Sequence, residues 1–313
     1  MIHVVHHPDY VTPAPARSTY RWNKNGLIRD LLLDKGDAVA WHRAETTPTA
    51  WLEAVHDEDY VAEVLRADVP KEKERRIGFP VTAAVASRAA IVPHGTWLAA
   101  RLALEHGFAA NTAGGSHHAL ANTGAGFCVF NDLAVAAARL IDEGRVSRVL
   151  VVDCDVHQGD GTAALLAGRP EIATYSIHAE KNFPVRKARS TVDVPLPDKV
   201  GDEVYLATLE GTLVPLLEEF RPELILYQAG VDPFDGDRLG RLALTLDGLA
   251  RRERLVAGLA IARGLPLAST VGGGYGEDAL AIAERHVAAI MTLGQTFAAA
   301  RDAGRRVGAL NAR

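Results

Sequence analysis

The chain has 313 residues, of which 48% are hydrophobic and 23% are charged, and its formal net charge is −5 at pH 7. This composition suits one large α/β domain with ample length for a buried core. The negative balance offers no electrostatic footprint for nucleic acid. The sequence has no uninterrupted apolar run of about eighteen residues, so we expect no membrane-spanning helix.

Apolar and β-branched runs predict six strands, and segments of helical spacing alternate with them. This alternation indicates a mainly parallel sheet with helices on both faces. We therefore predict a single-domain, doubly wound α/β fold over residues 1–313. The predicted strands are Ile2–His6, Phe108–Thr112, Val149–Val152, Ile172–Ile177, Leu224–Gln228 and Leu267–Val271. The predicted helices are Gly26–Leu33, Pro48–Leu65, Thr82–Glu105, Asp132–Glu143, Glu203–Glu219, Leu246–Arg263 and Glu277–Leu293.

Four longer segments have neither pattern and are predicted to be irregular. Loops of this length in a compact α/β domain usually surround an active site. They are Pro8–Asn25, Ala67–Pro80, Ala179–Asp202 and Pro233–Thr245.

The N-terminal sequence lacks a basic region followed by an apolar core, so we expect no secretory signal. Two cysteines, Cys128 and Cys154, are too few for a disulfide framework of the secreted kind. We expect both to be small buried side chains in a protein of the reducing cytoplasm.

The stretch Val149–Thr162, VLVVDCDVHQGDGT, is the most informative part of the chain. Side chains alternate across a strand, so Asp153, Asp155 and His157 point to one side if the strand geometry persists. Glycines then permit a tight turn that returns Asp160 towards the same place. Buried carboxylates are costly unless they are paired or bind a metal. The pattern therefore predicts a divalent metal site with supporting carboxylates.

Three further predicted strands end in small residues and one or two reactive side chains. Ligands bind outside the carboxyl ends of the strands in open parallel sheets, so four separate segments direct polar residues at one crevice. The three continuations are GGSHHA at 114–119, AGVDP at 229–233 and GGGYG at 272–276.

Together these motifs resemble the zinc-dependent histone deacetylase superfamily, which also holds acetylpolyamine amidohydrolases and acetoin-utilisation proteins. The resemblance covers residues 3 to 290 and implies the arginase/deacetylase-like fold. The segments His157–Gly159 and Gly236–Gly240 are most similar to the class IV branch, whereas Asp160 and Asn131 are closer to other branches. The matching motifs are GGSHHA at 114–119, GFCVFND at 126–132, VDCDVHQGDGT at 152–162, YSIH at 175–178, AGVDPFDGDRLG at 229–240 and GGGY at 272–275.

The resemblance implies that Asp155, His157 and Asp232 are the metal ligands. Two oxygens and one nitrogen, with positions left for water and substrate, are typical of catalytic zinc. Iron(II) is the alternative, because hard carboxylates do not demand zinc. The family's monovalent cation site, which holds a structural potassium ion, corresponds to Ser176 and the carbonyl groups of Asp153, Asp155 and His157.

By the same resemblance, His117 and His118 lie beside the metal-bound water and are backed by Asp153 and Asp160. A carboxylate behind an imidazole fixes its tautomer and raises its basicity. His118 is expected to accept the water proton and deliver it to the leaving amine, and His117 to act mainly through its charge. Tyr275 is expected to bond the substrate carbonyl and then stabilise the oxyanion.

Phe127 and Phe183, with the backbone of Gly126, match family positions that wall a narrow acyl-lysine channel. Gly273 in the GGGY motif is also expected to bind substrate. The implied activity is a metal-dependent amidohydrolase that removes an acyl group from a primary amine on a flexible stem. Acetyl- or acyl-lysine in proteins is the first choice of substrate, and a small acylated amine such as acetylpolyamine is the second.

Two other interpretations are weaker. An arginase-like ureohydrolase requires a second set of metal-binding aspartates, whereas here the second acidic positions fall beside the two histidines. A catalytically silent acyl-lysine-binding scaffold should have lost a ligand, a histidine or the tyrosine, and all are present. Against the polyamine, the expected rim loop Ala67–Pro80 offers no net acidic attraction for a cation. Its charged residues are Lys71, Lys73, Arg75 and Arg76 against Asp68, Glu72 and Glu74.

Overall fold

The computed structural model describes residues 1–15 and 20–311, so four residues of the irregular segment predicted at Pro8–Asn25 lie outside the described residues. The described chain folds around one eight-stranded sheet. Its strands are β1 (Ile2–His6), β2 (Val39–Arg43), β3 (Phe108–Asn111), β4 (Val149–Asp153), β5 (Ile172–Ala179), β6 (Val192–Leu196), β7 (Leu224–Gln228) and β8 (Leu267–Thr270). Its α-helices are α1 (Lys24–Leu33), α2 (Thr49–Glu53), α3 (Glu58–Leu65), α4 (Lys71–Ile77), α5 (Ala83–His106), α6 (Asp132–Asp142), α7 (Asp160–Leu166), α8 (Asp202–Phe220), α9 (Leu246–Ile261) and α10 (Ala279–Asn311).

The sheet is parallel throughout, in the order β2-β1-β3-β8-β7-β4-β5-β6. Helices cover both faces, as predicted, because the inner strands are apolar on both sides. Leu150 and Val152 of β4 pack in the core cluster that includes α8, α9 and α10. Val149 and Val151 pack in the opposite cluster with α5 and α6.

The crevice expected from the sequence lies at the point where the chain reverses its direction across the sheet. After β4 the chain continues through β5 to the edge at β6, whereas after β7 it turns the other way to β8. The neighbours β4 and β7 end level, with Asp153 opposite Gln228. Ligands in doubly wound sheets bind at such a reversal, so the fold places the segments after β4 and β7 at a binding position.

Two strands at the edges of the sheet were not predicted. Both β2 (VAWHR) and β6 (VDVPL) carry polar residues, and Pro195 lacks the N–H of an inner-strand residue. Edge strands tolerate such residues because one side has no strand partner. Their sequences therefore lack the apolar run by which the inner strands were recognised.

Three helical expectations were wrong in detail. The helix expected at Pro48–Leu65 is two helices, α2 and α3, separated by the residues 54–57. Helix α4 lies within the segment Ala67–Pro80 that was expected to be irregular, where opposite charges three and four residues apart support it. The turn expected to return Asp160 is the start of α7, whose positive N-terminal end favours this carboxylate.

None of the described helices combines the length and the apolar character that crossing a membrane requires. Cys128 and Cys154 are both buried and free, as expected from the sequence.

The close packing of α5 on the sheet gives a stability prediction. A Cβ at Gly95 would collide with the Tyr10 hydroxyl and lie 2.9 Å from Asn111 Nδ2, whereas a Cβ at Gly211 in α8 meets nothing within 4 Å. Gly95→Ala should therefore destabilise by about 1–3 kcal/mol through overpacking, and Gly211→Ala should stabilise by roughly 0.5–1 kcal/mol. Urea denaturation of both variants measures their free energies of unfolding. Equal changes of the same sign in this free energy would contradict the packing of α5.

Candidate active site

Three potential metal ligands converge at the carboxyl ends of β4 and β7. Asp155 and His157 follow β4, and Asp232 follows β7. Each offers a ligand atom within 4.8 Å of the other two, and in the described residues this is the one such group of three His, Cys, Asp or Glu side chains. All three are at most 6% exposed. The structure thus brings together the three residues expected to bind the metal.

The carboxylate of Asp155 is fixed by hydrogen bonds from three segments. Its Oδ2 accepts from Gln228 Nε2 at 2.7 Å and from the backbone N–H of Gly273 at 2.8 Å. Its Oδ1 accepts from the backbone N–H of His157 at 3.0 Å. Because these donors come from the strand ends β4, β7 and β8, Asp155 cannot move without disturbing all three.

Asp232 is a fully buried carboxylate with one unpaired oxygen. Its Oδ1 accepts from the backbone N–H of Val156 at 2.8 Å. Its Oδ2 lies 3.2 Å from His157 Nδ1 but makes no hydrogen bond. Burial and the negative charge of Asp155 raise the pKa of Asp232. An orphan oxygen beside a second carboxylate and an imidazole suits a divalent cation, which would neutralise both negative charges.

Each of the two adjacent histidines is bonded to the carboxylate expected from the sequence. His117 donates from Nδ1 to Asp153 Oδ2 at 2.7 Å, and His118 donates from Nδ1 to Asp160 Oδ1 at 2.6 Å. The two rings lie 4.0 Å apart between centroids. Because both acidic positions are bonded to histidines, they do not form the second metal site that a ureohydrolase needs.

The two histidines differ in charge despite this similar bonding. Burial lowers the pKa of His117, but Asp153 and Asp155 outweigh it and raise the value to about 9. Burial and the neighbouring His117 lower the pKa of His118 to about 4, against the effect of Asp160. Asp160 does raise the pKa of His118, as expected of a carboxylate behind an imidazole, but burial and His117 outweigh it. The pKa shifts of the two histidines therefore have opposite directions, which favours the charged form of His117 and the neutral form of His118.

Asp132, the first residue of α6, shapes the loop that carries both histidines. Its Oδ1 accepts from the N–H of Ser116 at 2.7 Å, and its Oδ2 accepts from the N–H of Gly115 at 3.1 Å. The Thr96 hydroxyl donates to Oδ2 at 2.6 Å. These bonds satisfy the buried carboxylate and set the backbone immediately before His117.

Tyr275 is positioned by the loop that follows β7. Its backbone N–H donates to Asp237 Oδ2 at 2.7 Å, and its carbonyl accepts from the N–H of Arg238 at 3.2 Å. Its ring lies 6.1 Å from that of His157 and 5.7 Å from that of Phe127. Burial and the nearby carboxylates raise the pKa of Tyr275 well above 10, so the phenol keeps its proton and can donate it in a hydrogen bond.

Two of the expected channel residues, Gly126 and Phe183, lie against the His118 ring. The Phe183 ring meets the His118 ring edge-on at 4.8 Å and is 43% exposed. A Cβ at Gly126, whose φ is +52°, would lie 2.6 Å from His118 Cδ2 and 3.2 Å from Phe183 Cε1. Gly126 therefore allows the chain of Phe127 to pass close to His118, and Phe127 packs towards Tyr275 from there.

Gly273 has a different environment from the one expected for a substrate-binding residue. Its N–H donates to Asp155 and its carbonyl accepts from the N–H of Val231 at 2.9 Å. Gly273 still lines a cavity of about 50 Å³ that His117, Phe127 and Tyr275 also line. Its backbone polar atoms are engaged within the protein, so it supports a metal-ligand carboxylate.

The residues expected around a monovalent cation are adjacent in the structure. Ser176 of β5 lies opposite Asp153 of β4 in the strand register and is buried. Its hydroxyl lies 3.0 Å from His178 Nδ1.

Sequence reasoning did not assign roles to Asp132, Gln228 or Asp237. Each is buried and accepts from or donates to backbone or carboxylate groups of the site. Two signals were available: Asp132 ends the GFCVFND motif, and Gln228 is a polar residue at the end of a fully apolar strand. Asp237 lies in the GDRLG segment that resembles the class IV branch, but its hydrogen bond to the backbone of Tyr275 has no local sequence signal.

Comparison with known proteins agrees with this arrangement. The histone deacetylase domain family matches residues 16–291 of the chain. An uncharacterized protein of Picosynechococcus sp. is 45% identical over 285 residues, which are 90% of this chain and 95% of that protein. Histone deacetylase 2 of Arabidopsis thaliana is 36% identical over 58% of the chain, and histone deacetylase 1 of Homo sapiens is 34% identical over 53%. The chain aligns with 48% and 36% of the lengths of these two deacetylases.

The crystal structure of the HDA15 HD domain shares the fold, with a TM-score of 0.79 and 20% identity over 94% of this chain and 90% of that one. The chain therefore belongs to the histone deacetylase family, as the sequence motifs predicted. It is a hydrolase of the deacetylase type.

The bonds of Asp132 predict a role for this residue in holding the histidine loop. Asp132→Asn would replace one carboxylate oxygen with an NH₂ group that faces the N–H donor of either Gly115 or Ser116, and a buried unsatisfied donor costs about 1–3 kcal/mol. The temperature of thermal unfolding and the deacetylase activity should both decrease. Thr96→Val is the matched control, because it removes the hydroxyl that donates to Asp132 and accepts from Asn111 Nδ2 at 3.1 Å but leaves both backbone bonds of Asp132 in place. It should have the smaller effect on activity; the reverse order would contradict this role.

Proposed function

We propose that the protein is a zinc-dependent deacylase that hydrolyses the amide of an acylated primary amine, with acyl-lysine in proteins as its substrate. The observation that carries this proposal is the buried group Asp155, His157 and Asp232, which lies beside two histidines that are each hydrogen-bonded to a carboxylate. A metal-binding carboxylate–imidazole set, a proton acceptor and a hydrogen-bond donor are the groups that hydrolysis of an unactivated amide requires.

Asp155, His157 and Asp232 would hold the metal. Zinc fits this set of two carboxylates and one imidazole, and iron(II) is the alternative. A bound zinc ion supplies polarisation of the amide carbonyl and a water of lowered pKa. Metal binding requires a lone pair on the imidazole, so His157 must be neutral in the loaded enzyme. Without a cation, burial lowers the pKa of His157, but the adjacent carboxylates of Asp155 and Asp232 outweigh it and raise the value to about 10, so metal binding at this imidazole would be coupled to release of a proton.

His118 is proposed to be the general base. Its Nδ1–H is held by Asp160, so the lone pair lies on Nε2, and its low pKa keeps it neutral near pH 7. It accepts a proton from water at Nε2 and returns it to the leaving amine. His117, hydrogen-bonded to Asp153, is proposed to act mainly through its charge and to stabilise negative charge that develops during the reaction.

Tyr275 is proposed to donate its hydroxyl proton in a hydrogen bond to the substrate carbonyl oxygen. A donor aimed at developing negative charge acts mainly on the transition state. Phe127 and Phe183, with Gly126 between His118 and Phe183, would sandwich the apolar stem of the acylated amine and exclude water from it.

The charges beside this channel support acyl-lysine over an acylated polyamine. The end of α4 adjoins the channel, because the N–H of Gly126 donates to the carbonyl of Arg76. In the same helix, Lys71 pairs with Glu74, and Lys73 pairs with Glu63 of α3. Arg75, Arg76 and Glu72 are exposed, with no ion pair to another described residue. This rim therefore has no net negative charge to attract a free polyamine. The polyamine remains the second candidate, because Asp235 is also exposed on the loop after β7.

We further propose that residues 1–313 form one catalytic domain and that Ser176, with the carbonyl groups of Asp153, Asp155 and His157, binds a structural potassium ion. The adjacency of β4 and β5 at Asp153 and Ser176 supports the second assignment.

Removal of the metal should abolish activity. Treatment with a chelator should stop hydrolysis of an acetyl-lysine peptide, and added zinc should restore it. Asp232→Ala should bind less zinc and lose activity, whereas Asp235→Ala, an exposed aspartate of the same loop, should retain both. Metal analysis of each protein accompanies the assay. Full hydrolysis by a protein shown to be metal-free would refute the metal assignment.

The two histidines should differ in their effect on turnover. His118→Ala should lower kcat by about 10²–10⁴-fold, the usual contribution of general acid–base catalysis. His117→Ala should leave more residual activity, because it removes charge rather than the proton acceptor. The kcat values of both variants are measured by steady-state kinetics at equal zinc content. A larger loss of kcat in His117→Ala would make His117, and not His118, the general base.

The substrate class is tested by direct competition between the two candidates. N-acetylputrescine and an acetyl-lysine peptide are assayed at equal enzyme and zinc concentrations, and kcat/KM should favour the peptide. A preference for the polyamine of tenfold or more would overturn the substrate proposal and leave the metal mechanism intact.

A further inference from the structure

A buried arginine lies behind the metal-binding residues. Arg252, on the inner face of α9, is 0% exposed, although most arginines lie at protein surfaces. Removing a guanidinium from water is costly unless it is paired and hydrogen-bonded. Its neighbour Arg251 is exposed and pairs with Glu203, which is the ordinary surface arrangement. The burial of Arg252 therefore requires a reason in its contacts.

One nitrogen of Arg252 joins the two segments that carry the metal ligands. Its Nη1 donates to the carbonyl of Cys154 at 3.1 Å and to the carbonyl of Gly230 at 2.8 Å. Cys154 immediately precedes the ligand Asp155, and Gly230 lies two residues before the ligand Asp232. These carbonyls follow the neighbouring strands β4 and β7, so the arginine bridges the two strand ends at the chain reversal.

The guanidinium is itself locked in place by the next residue. Arg252 Nη2 donates to Glu253 Oε1 at 2.5 Å, and Glu253 Oε2 accepts from the Tyr227 hydroxyl at 2.6 Å. Tyr227 belongs to β7, so the pair is anchored to the same strand whose end it holds. Glu253 is also fully buried and balances the charge of the arginine.

The stability of the fold does not by itself explain this network of buried charged side chains. A buried ion pair is often replaceable by apolar residues without loss of stability, and the surrounding core of α9 is apolar. Its geometric effect is specific: it fixes the distance between two backbone segments, each one or two residues from a metal ligand. Backbone position determines whether two carboxylates and an imidazole meet the narrow geometry of a metal ion.

We propose that Arg252, held by Glu253, is a positioning residue that sets the spacing of Asp155 and Asp232 and thereby the zinc affinity of the site. This inference rests on the proposed metal site but does not depend on the substrate.

The test measures zinc affinity of the full-length, metal-free protein by competition with a chromophoric chelator. Arg252→Met keeps much of the side-chain length and removes the donors, so zinc binding should weaken about tenfold or more, as for other groups that orient metal ligands. The kcat of this variant should be low at limiting zinc and recover in excess zinc. Arg251→Met makes the same substitution at the adjacent exposed position and should bind zinc as the wild type does.

A second control separates positioning from general destabilisation. Leu249 is buried in the core on the same helix, and Leu249→Ala should lower the unfolding temperature without weakening zinc binding. Should Arg252→Met fail to fold, Glu253→Gln, which removes the charge and keeps the shape, is measured instead and should also weaken zinc binding. Zinc affinity within twofold of wild type in the folded variant, or an equal loss in Leu249→Ala, would overturn the proposal. A wild-type protein that binds no divalent metal would overturn the metal assignment as well.

Discussion

The repulsion between two buried carboxylates is the constraint on which the site depends. Asp155 and Asp232 come from separate strand ends, share His157 between them and have almost no access to water. Asp155 uses both oxygens in hydrogen bonds, whereas one oxygen of Asp232 has no partner. Such a pair is unfavourable by itself and becomes favourable when a cation occupies the space between the oxygens. Hydrogen bonds resist the separation of these two segments. They are made by the Gln228 side chain, the Gly273 backbone and the Arg252 side chain.

The two histidines show how position, rather than residue type, assigns different roles. Both have an Asp partner at hydrogen-bond distance, and both are buried. The negative charge of Asp155 also raises the pKa of His117. Beyond the effect of burial, the positive charge of His117 lowers the pKa of His118. One imidazolium thus makes its neighbour a neutral base. The asymmetry arises from which histidine lies nearer the metal-binding carboxylate.

The inner strands and the chemical residues could be predicted because they carry strong local patterns. The run VLVVD of β4 is apolar on both faces, and Asp153, Asp155 and His157 interrupt it at alternate positions. The edge strands β2 and β6 lack such a pattern, since their pairing with β1 and β5 supplies the stability that their sequences do not show. Asp132, Gln228 and Arg252 were missed as supporting groups because they bond site groups that are distant in sequence, namely Ser116 at 16 residues, Asp155 at 73 and Cys154 at 98. The low pKa of His118 likewise depends on burial, which no local pattern records.

The strand order also affects how the chain folds as it is synthesised. Strands β7 and β8 lie at the centre of the sheet, between β3 and β4, although they are the last two strands to leave the ribosome. Until then the first six strands can form only two separate half-sheets, β2-β1-β3 and β4-β5-β6, each with an apolar edge strand open to water. Open apolar edges are sites of aggregation, and late long-range pairing is slow. The inner edges of β3 and β4 therefore stay unpaired until β7 and β8 are synthesised, and Asp232, which follows β7, can join Asp155 and His157 only after that.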